Sequence, residues 1–401
     1  MSKNKIVKYI IMPFKAVKYV SKSAILSVLK IVKTLAYRNT EVVPDKIFFM
    51  SFDNRYSCNL SYIADEILRQ KLPVDMVWAI PKEKGADYGS FPEKIRLVKR
   101  NTIQMYEEQA SAKIWFDNAL NCVWYDIPKK DEQVYINTWH GSMGIKRLSG
   151  NRYWMRRAKK ADKVTDYMVS NSSFEEDVYR GTFWKKAEIL KYGHARNDIL
   201  FATEQHEAIR NEITEFYGIP ATTKIALYAP TFRDDGDNSC FNLNYEAMRE
   251  ALEKKFGGEW VVLVRAHFKN RDENIGKRIR MTDKILDGSR YADMQRLMIA
   301  ADCGITDYSS WAYDYILTKK PMFIYAEDIE KYNSSRGFYF SLDSTPFLIA
   351  KNTDEMIANI ASFDDAEYLD KVDKFLEDKG CYETGTAAKQ VVEKIKEIMN
   401  L

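Results

Sequence analysis

Gly218-Ile219-Pro220-Ala221-Thr222-Thr223-Lys224-Ile225-Ala226-Leu227-Tyr228-Ala229-Pro230-Thr231-Phe232-Arg233-Asp234 is the stretch on which the organisation of this chain turns. Upstream, residues 204–217 carry a helical pattern, and Gly218-Ile219-Pro220 ends it, because proline cannot continue a helix and glycine tolerates the left-handed residue that closes one. The apolar run at 224–229 that follows is too short for a helix and is bounded by turn residues, the signature of a buried strand.

Working outward, the same alternation of short apolar runs with helical patterns lies on both sides. Before the stretch, strands are expected at 46–52, 74–80, 95–99, 112–118, 133–139, 167–171 and 187–192; after it, at 224–229, 260–266, 285–288, 302–306 and 321–325. Strands separated by helices argue for parallel sheets wrapped by helices. The chain has 401 residues, 46% hydrophobic and 13% aromatic, which is more than one ordinary domain. The expected fold is therefore α/β, two Rossmann-like domains facing across a cleft, with a segment at 1–40 preceding domains at 41–200 and 201–401.

Charge singles out the first segment. Residues 1–39 hold eight Lys and one Arg with no acid; the whole chain carries +4, so the remaining 362 residues stand at −5. The basicity belongs to the amino terminus and not to a nucleic-acid face. Val7, Ile10, Ile11, Phe14, Val17, Ile25, Val28, Val32 and Leu35 recur near helical spacing, and Pro13 is suited to opening a second, longer helix. Lysines at 15, 18, 22, 30 and 33 interrupt every apolar stretch before the roughly 20 residues a span requires, and deny it the core of a signal peptide. The expectation is an interfacial helix on an anionic membrane surface, the alternative a helix docked on the protein itself. Cys58, Cys122, Cys240, Cys303 and Cys381 show no paired spacing, which fits a reducing compartment and excludes a zinc knuckle.

Facing Rossmann-like domains place ligands at the carboxyl ends of their strands, and four segments there carry chemistry. Asn137-Thr138-Trp139-His140-Gly141-Ser142-Met143-Gly144-Ile145-Lys146 runs from a strand into a His-Gly turn. Its glycines permit close backbone approach, and His140 is either a base for an acceptor hydroxyl or a satisfied structural histidine. In Leu227–Asp234, Arg233 is either a phosphate fork or a surface ion pair with Asp234 or Asp235. Asp235-Gly236-Asp237 mimics a metal-binding carboxylate pair, but a polar loop with Asn238 and Ser239 explains it more simply, and no metal is assigned. Val261–Phe268 delivers Arg265 and His267 to a strand end, His267 as a donor to phosphate. In Ala301–Tyr315 a Thr/Asp/Ser turn starts a helix whose cap, Ser309 or Ser310, leaves backbone N–H groups for an anion; simple capping is the alternative. Taken together with Arg233 and His267, the set suits a diphosphate.

These four segments in order, with Lys191-Tyr192-Gly193-His194-Ala195-Arg196-Asn197-Asp198 between the first two and Arg336-Gly337-Phe338-Tyr339 near the end, resemble the CDP-glycerol glycerophosphotransferase family of teichoic acid biosynthesis over roughly residues 45–350. The resemblance implies the GT-B arrangement, peripheral attachment at the cytoplasmic face of a Gram-positive membrane, a CDP-glycerol donor, a polyprenyl-diphosphate-linked acceptor, release of CMP, and no cofactor. It implies that His140 is the acceptor-side base, flanked by Trp139, Gly141 and Lys146. It implies that Arg233, His267, Ser309 and Ser310 hold the donor diphosphate, with Asp314 touching the donor; Arg336 is either a further phosphate ligand or a structural ion pair. His194-Ala195 departs from the family, whose members often carry proline before the arginine, and is expected to alter only a turn at the domain junction. The rivals are a CDP-ribitol or capsule-polymer transferase, a GT-B glycosyltransferase using a nucleotide sugar, and a non-catalytic nucleotide-binding scaffold at the membrane.

Overall fold

The computed structural model describes residues 28, 31, 33–35, 37–53, 55–81, 90–124, 127–148, 150, 152–231, 233, 239–266 and 279–401, the side chains of 335 and 336 excepted. Of the basic amino-terminal segment, residues 1–27 lie outside this set, and the described residues between 28 and 39 are helical.

Among the described residues, thirteen strands form two sheets. β1 (Val43–Met50), β2 (Asp75–Ile80), β3 (Ile95–Lys99), β4 (Ala112–Asp117), β5 (Val134–Asn137), β6 (Tyr167–Val169) and β7 (Glu188–Leu190) make the first, in the order β3-β2-β1-β4-β5-β6-β7. β8 (Lys224–Tyr228), β9 (Trp260–Val264), β10 (Ile285–Asp287), β11 (Cys303–Thr306), β12 (Met322–Tyr325) and β13 (Leu348–Ala350) make the second, in the order β10-β9-β8-β11-β12-β13. Every pairing is parallel. Each half is thus doubly wound, and strand order reverses between β1 and β4 and between β8 and β11, the crevices where such sheets take ligands.

The sequence pattern explains the layers. Along β1, Ile47 and Phe49 face one helical layer while Phe48 and Met50 face the other, and all four are fully buried. A strand covered on both faces needs this continuous apolar run. On one face Phe49 stacks between Trp78 and Phe116 at centroid distances of 5.0 and 5.3 Å. Gly218, in the left-handed region at φ +66°, closes the helix His206–Tyr217 where the sequence places the break.

All twelve expected strands are present, and β13 is an addition. The carboxy-terminal helix Ala387–Met399 returns to the first half, where Val391, Val392 and Ile395 pack with Ile47, Leu60 and Ile114. Asp198 anchors that return by accepting the Ala387 and Ala388 amides at 2.9 and 2.7 Å.

Candidate active site

Loops from both halves enclose a cleft of about 570 Å³ lined by Trp139, His140, Gly141, Lys146, Ser309, Ser310 and Asp314 among others. Seven of the ten residues expected to act are therefore gathered in one place. Arg233 is not in the lining, His267 lies outside the described residues, and so does the side chain of Arg336.

His140 sits immediately beyond β5 and is built in from three strand ends. Its Nδ1 lies 2.5 Å from the Asn118 carbonyl, just past β4. A carbonyl can only accept, so Nδ1 carries the proton and Nε2 the lone pair. Asn118 Oδ1 in turn accepts the Phe52 amide at 2.8 Å, and the Phe52 ring, just past β1, stacks on the imidazole at 4.4 Å and 17°. Trp139 covers it from another side at 4.6 Å. Burial pushes the His140 pKa down to about 4; the Asn118 carbonyl opposes this, and the charges of Arg196, Lys146 and His194 assist it. His140 is consequently neutral at pH 7.

The turn that presents His140 is strained. Trp139 has φ +50°, which a bulky side chain rarely adopts. The conformation is held from both ends: Asn137 Oδ1 accepts the Trp139 amide at 2.8 Å, and buried Asn59 donates to the Thr138 and Trp139 carbonyls, each at 3.2 Å.

Beyond His140 the loop crosses to the other half. Met143 and Ile145 are fully buried in the core of the second half. A Cβ on Gly144 would stand 3.1 Å from Ser310 Cβ, so glycine is what lets the loop lie against the Ser309-Ser310 turn. Residues 145–148 are then sewn antiparallel to 337–339: Arg147 N donates to Gly337 O at 3.1 Å, Tyr339 N to Ile145 O at 2.8 Å, and Leu148 N to the Tyr339 hydroxyl at 3.0 Å. The Gly337-Phe338-Tyr339 part of the sequence motif is thus a tie between halves.

The Ser-Ser turn differs from expectation. Ser310 occupies the cap position of the short helix Trp311–Tyr315 in helical φ/ψ, and its hydroxyl makes no cap bond. The side chains of Ser309 and Ser310 are left to the cleft.

Arg233 is placed otherwise than expected. Its Nε and one terminal nitrogen fork onto Asp328 at 2.7 and 2.9 Å, and the other binds Asp307 Oδ2 at 2.7 Å and the Thr231 carbonyl at 2.8 Å. Tyr308 and Tyr332 cover its faces at 5.1 and 4.8 Å. With its donors directed at carboxylates and a carbonyl, it braces the loops after β8, β11 and β12. Arg265 does similar work, donating to the carbonyls of Gly288, Tyr291 and Ala292 at 3.0, 2.5 and 2.8 Å.

Arg196, assigned no role from its motif, reaches the His140 turn directly. Buried, it donates to the Gly141 carbonyl at 2.7 Å, to Asp314 Oδ2 at 3.1 Å and to Cys58 Sγ at 3.4 Å. Asn197 binds the other Asp314 oxygen at 2.8 Å and Glu383 Oε1 at 2.8 Å. Glu383 also accepts the His194 amide, and burial pushes its pKa up to about 7 against the pull of His194. Asp314 is therefore spoken for by the domain junction. His194, Asp314 and Glu383 gather within 4.8 Å, a spacing that could suit a cation, but Arg196 and Asn197 hold the Asp314 oxygens and make the group an ion-pair hub. Asn59, Asn118, Phe52 and Glu383 had no signal in the sequence, whereas Arg196 and Asn197 stood in a quoted motif.

Comparison with known proteins agrees with this architecture. A family model described as CDP-Glycerol:Poly(glycerophosphate) glycerophosphotransferase matches residues 31–397. The chain is 29% identical over 377 residues to a teichoic acid poly(glycerol phosphate) polymerase of Staphylococcus epidermidis, covering 89% of this chain and 51% of that protein. It is 27% identical over 379 residues to a teichoic acid glycerol-phosphate transferase of Staphylococcus aureus, covering 88% and 94%. The chain thus spans about half the length of the first relative and nearly all of the second. The solved wall teichoic acid polymerase TagF superposes with a TM-score of 0.79 at 28% identity, over 97% of this chain and 98% of that one; a variant of TagF soaked with CDPG gives 0.78 at 26% over the same shares. With a family match across nearly its whole described length, the chain belongs to the CDP-glycerol:poly(glycerophosphate) glycerophosphotransferase family.

Proposed function

We infer that the protein transfers glycerol phosphate from CDP-glycerol to a hydroxyl of a polyprenyl-diphosphate-linked acceptor, releasing CMP. The observation that carries this reading is a neutral His140 with its proton fixed on Nδ1 by Asn118 and its lone pair on Nε2, at the wall of a two-sided cleft. The acceptor hydroxyl gives its proton to Nε2 while its oxygen bonds to the phosphorus that bears glycerol. The bond from that phosphorus to the bridging oxygen breaks, and CMP leaves with the electron pair. Phosphoryl transfer asks the protein mainly for positioning and charge stabilisation. Lys146 and the Ser309-Ser310 turn supply donors in the cleft lining, and His267 and Arg336 remain donor-side candidates.

The acceptor places the enzyme at the cytoplasmic face of the membrane. Nine cations without an acid in residues 1–39 support this, as do Val28, Ile31 and Leu35, exposed at helical spacing. Among the described residues no helix is long and apolar enough to cross a membrane.

The test is CMP release from CDP-glycerol with a lipid-linked disaccharide acceptor, run beside CDP-ribitol and UDP-sugars. The reading requires turnover with CDP-glycerol and its loss by about 10²-fold or more in His140→Ala. Undiminished turnover in a folded His140→Ala protein overturns it, and preference for a UDP-sugar replaces the donor.

A further inference from the structure

We propose that the helix Arg152–Val164, with Trp124 beside it, is a second bilayer-contact surface, built on the folded first half, that takes anionic phospholipid headgroups and holds the His140 side of the cleft toward the membrane. The proposal rests on the lipid-linked acceptor inferred above.

The helix, Arg-Tyr-Trp-Met-Arg-Arg-Ala-Lys-Lys-Ala-Asp-Lys-Val, has six cations and one acid. Arg152, Arg156, Lys159, Lys160 and Lys163 are exposed, and their spacing of three and four puts them on one stripe. The pairs 152/156, 156/160 and 159/163 each set like charges one turn apart, and Arg152 stands in a first turn without an acid, against the helix dipole. Such a helix is disfavoured locally. The acid, Asp162, is occupied by the Lys185 amide at 2.8 Å. Among the described residues Arg152, Arg156, Lys159 and Lys163 have no carboxylate partner. They do not hold the helix in place either, because the opposite face does: Ala158 and Ala161 are fully buried, with Trp154, Met155 and Val164 packed on the same core.

Large rings accompany the charges. Trp124 is 44% and Tyr153 59% exposed, edge to face at 5.6 Å, and the Arg157 guanidinium lies 3.7 Å over Trp124. Exposed aromatic rings beside cations suit the boundary between headgroups and acyl chains. A soluble polyanion would engage the cations and leave the rings in water.

The surface is continuous with the amino-terminal segment. At one end it follows Lys146, Arg147 and Leu148, which line the cleft. At the other, Asp166 accepts Lys129 at 2.9 Å, and the next residue, Lys130, donates to the Thr40 carbonyl and lies 5.6 Å over the Tyr37 ring. Lys33 lies 5.5 Å over Tyr106, which belongs to the same core layer that the helix Arg152–Val164 covers. The exposed Val28, Ile31 and Leu35 therefore stand on the same side of the sheet as the basic stripe. Two contacts on one face fix an orientation where a single one would not.

The experiment is sedimentation of the full chain with phosphatidylcholine vesicles, with and without phosphatidylglycerol. Each basic residue at an anionic leaflet is worth about five-fold in binding. Arg152→Glu/Arg156→Glu/Lys159→Glu/Lys163→Glu, with residues 1–39 intact, should bind phosphatidylglycerol vesicles at least ten-fold more weakly than the parent. Its CMP release with a water-soluble acceptor analogue should be unchanged. The corresponding four glutamines, and Trp124→Ser/Tyr153→Ser, should each weaken binding several-fold, and the glutamine protein carries the test if charge reversal impairs folding. Parent-like vesicle affinity overturns the proposal. So does loss of affinity for soluble poly(glycerol phosphate) with vesicle affinity kept, which would make the stripe a polymer track. Absence of CMP release by the parent would refute the proposed activity while leaving the vesicle result to be judged separately.

Discussion

Acidification addresses His140 directly. A histidine of ordinary pKa is only about one-tenth neutral at pH 5.5, whereas one at about 4 is more than about nine-tenths neutral there. The pH dependence of kcat/KM reports the free enzyme, so the rate of CMP release should stay nearly level from about pH 7.5 to 5.5 and fall only below about pH 5. The cause can be tested separately. Phe52 forms one wall, stacked at 4.4 Å, and Trp139 another at 4.6 Å. Phe52→Ala opens the first and leaves the second, which should raise the acid limb by about one pH unit, equivalent to about 1.4 kcal/mol. The same group affects stability with a definite sign. Because the folded pKa lies below the unfolded one, the unfolded chain takes up a proton between pH 6.5 and about 4 that the folded chain refuses, and stability is lost across that window as pH falls. An acid limb near pH 6.5 in the parent, unmoved by Phe52→Ala, would refute the enclosed neutral base.

Three further outcomes follow from the buried groups around it. Arg233→Ala leaves Asp307 and Asp328 without their cation, and should lower stability by about 3–5 kcal/mol in chemical denaturation; a change confined to the donor KM would show that Arg233 binds phosphate instead. Glu383, held near pKa 7 where the unfolded group titrates near 4.5, should make stability decline by up to about 3 kcal/mol as pH rises from about 4.5 to 7.5, and Glu383→Gln should flatten that decline in pH-dependent urea melts. Asn59→Ala removes both donors to the Thr138 and Trp139 carbonyls and should cost about 2 kcal/mol, with kcat reduced more than the donor KM is raised; an unchanged kcat in steady-state assays would mean the strained turn holds itself.

The sheets were legible because parallel strands are buried on both faces, and runs such as Trp260–Val264 can be little else. β13 was not, since Leu348-Ile349-Ala350 is three residues long, partly exposed and at a sheet edge. The loops of the site were legible by their position after strands. What escaped was the pairing of charges. Arg233 looks like an anion ligand until Asp307 and Asp328, 74 and 95 positions away, are brought against it. Arg196 looks like a junction residue until Gly141, 55 positions away, is found under it. One sequence shows which residues carry charge, and only the fold shows which charges are already neutralised.

The His140 loop explains why the two halves act as one site. It starts on the first sheet, buries Met143 and Ile145 in the second half, lies against Ser310 and is sewn to 337–339. Arg196 and Asn197 reach from the junction to Asp314 on the second half, and the chain itself returns to the first sheet through Glu383 and the helix Ala387–Met399. Sliding the halves apart would pull two apolar side chains from a packed core and separate a buried ion pair, each a cost of a few kcal/mol. The distance from His140 to the Ser309-Ser310 wall is therefore set by the packing of the protein itself. For the phosphoryl transfer proposed, which asks a protein mainly for positioning, that is the contribution a two-domain cleft can make most directly.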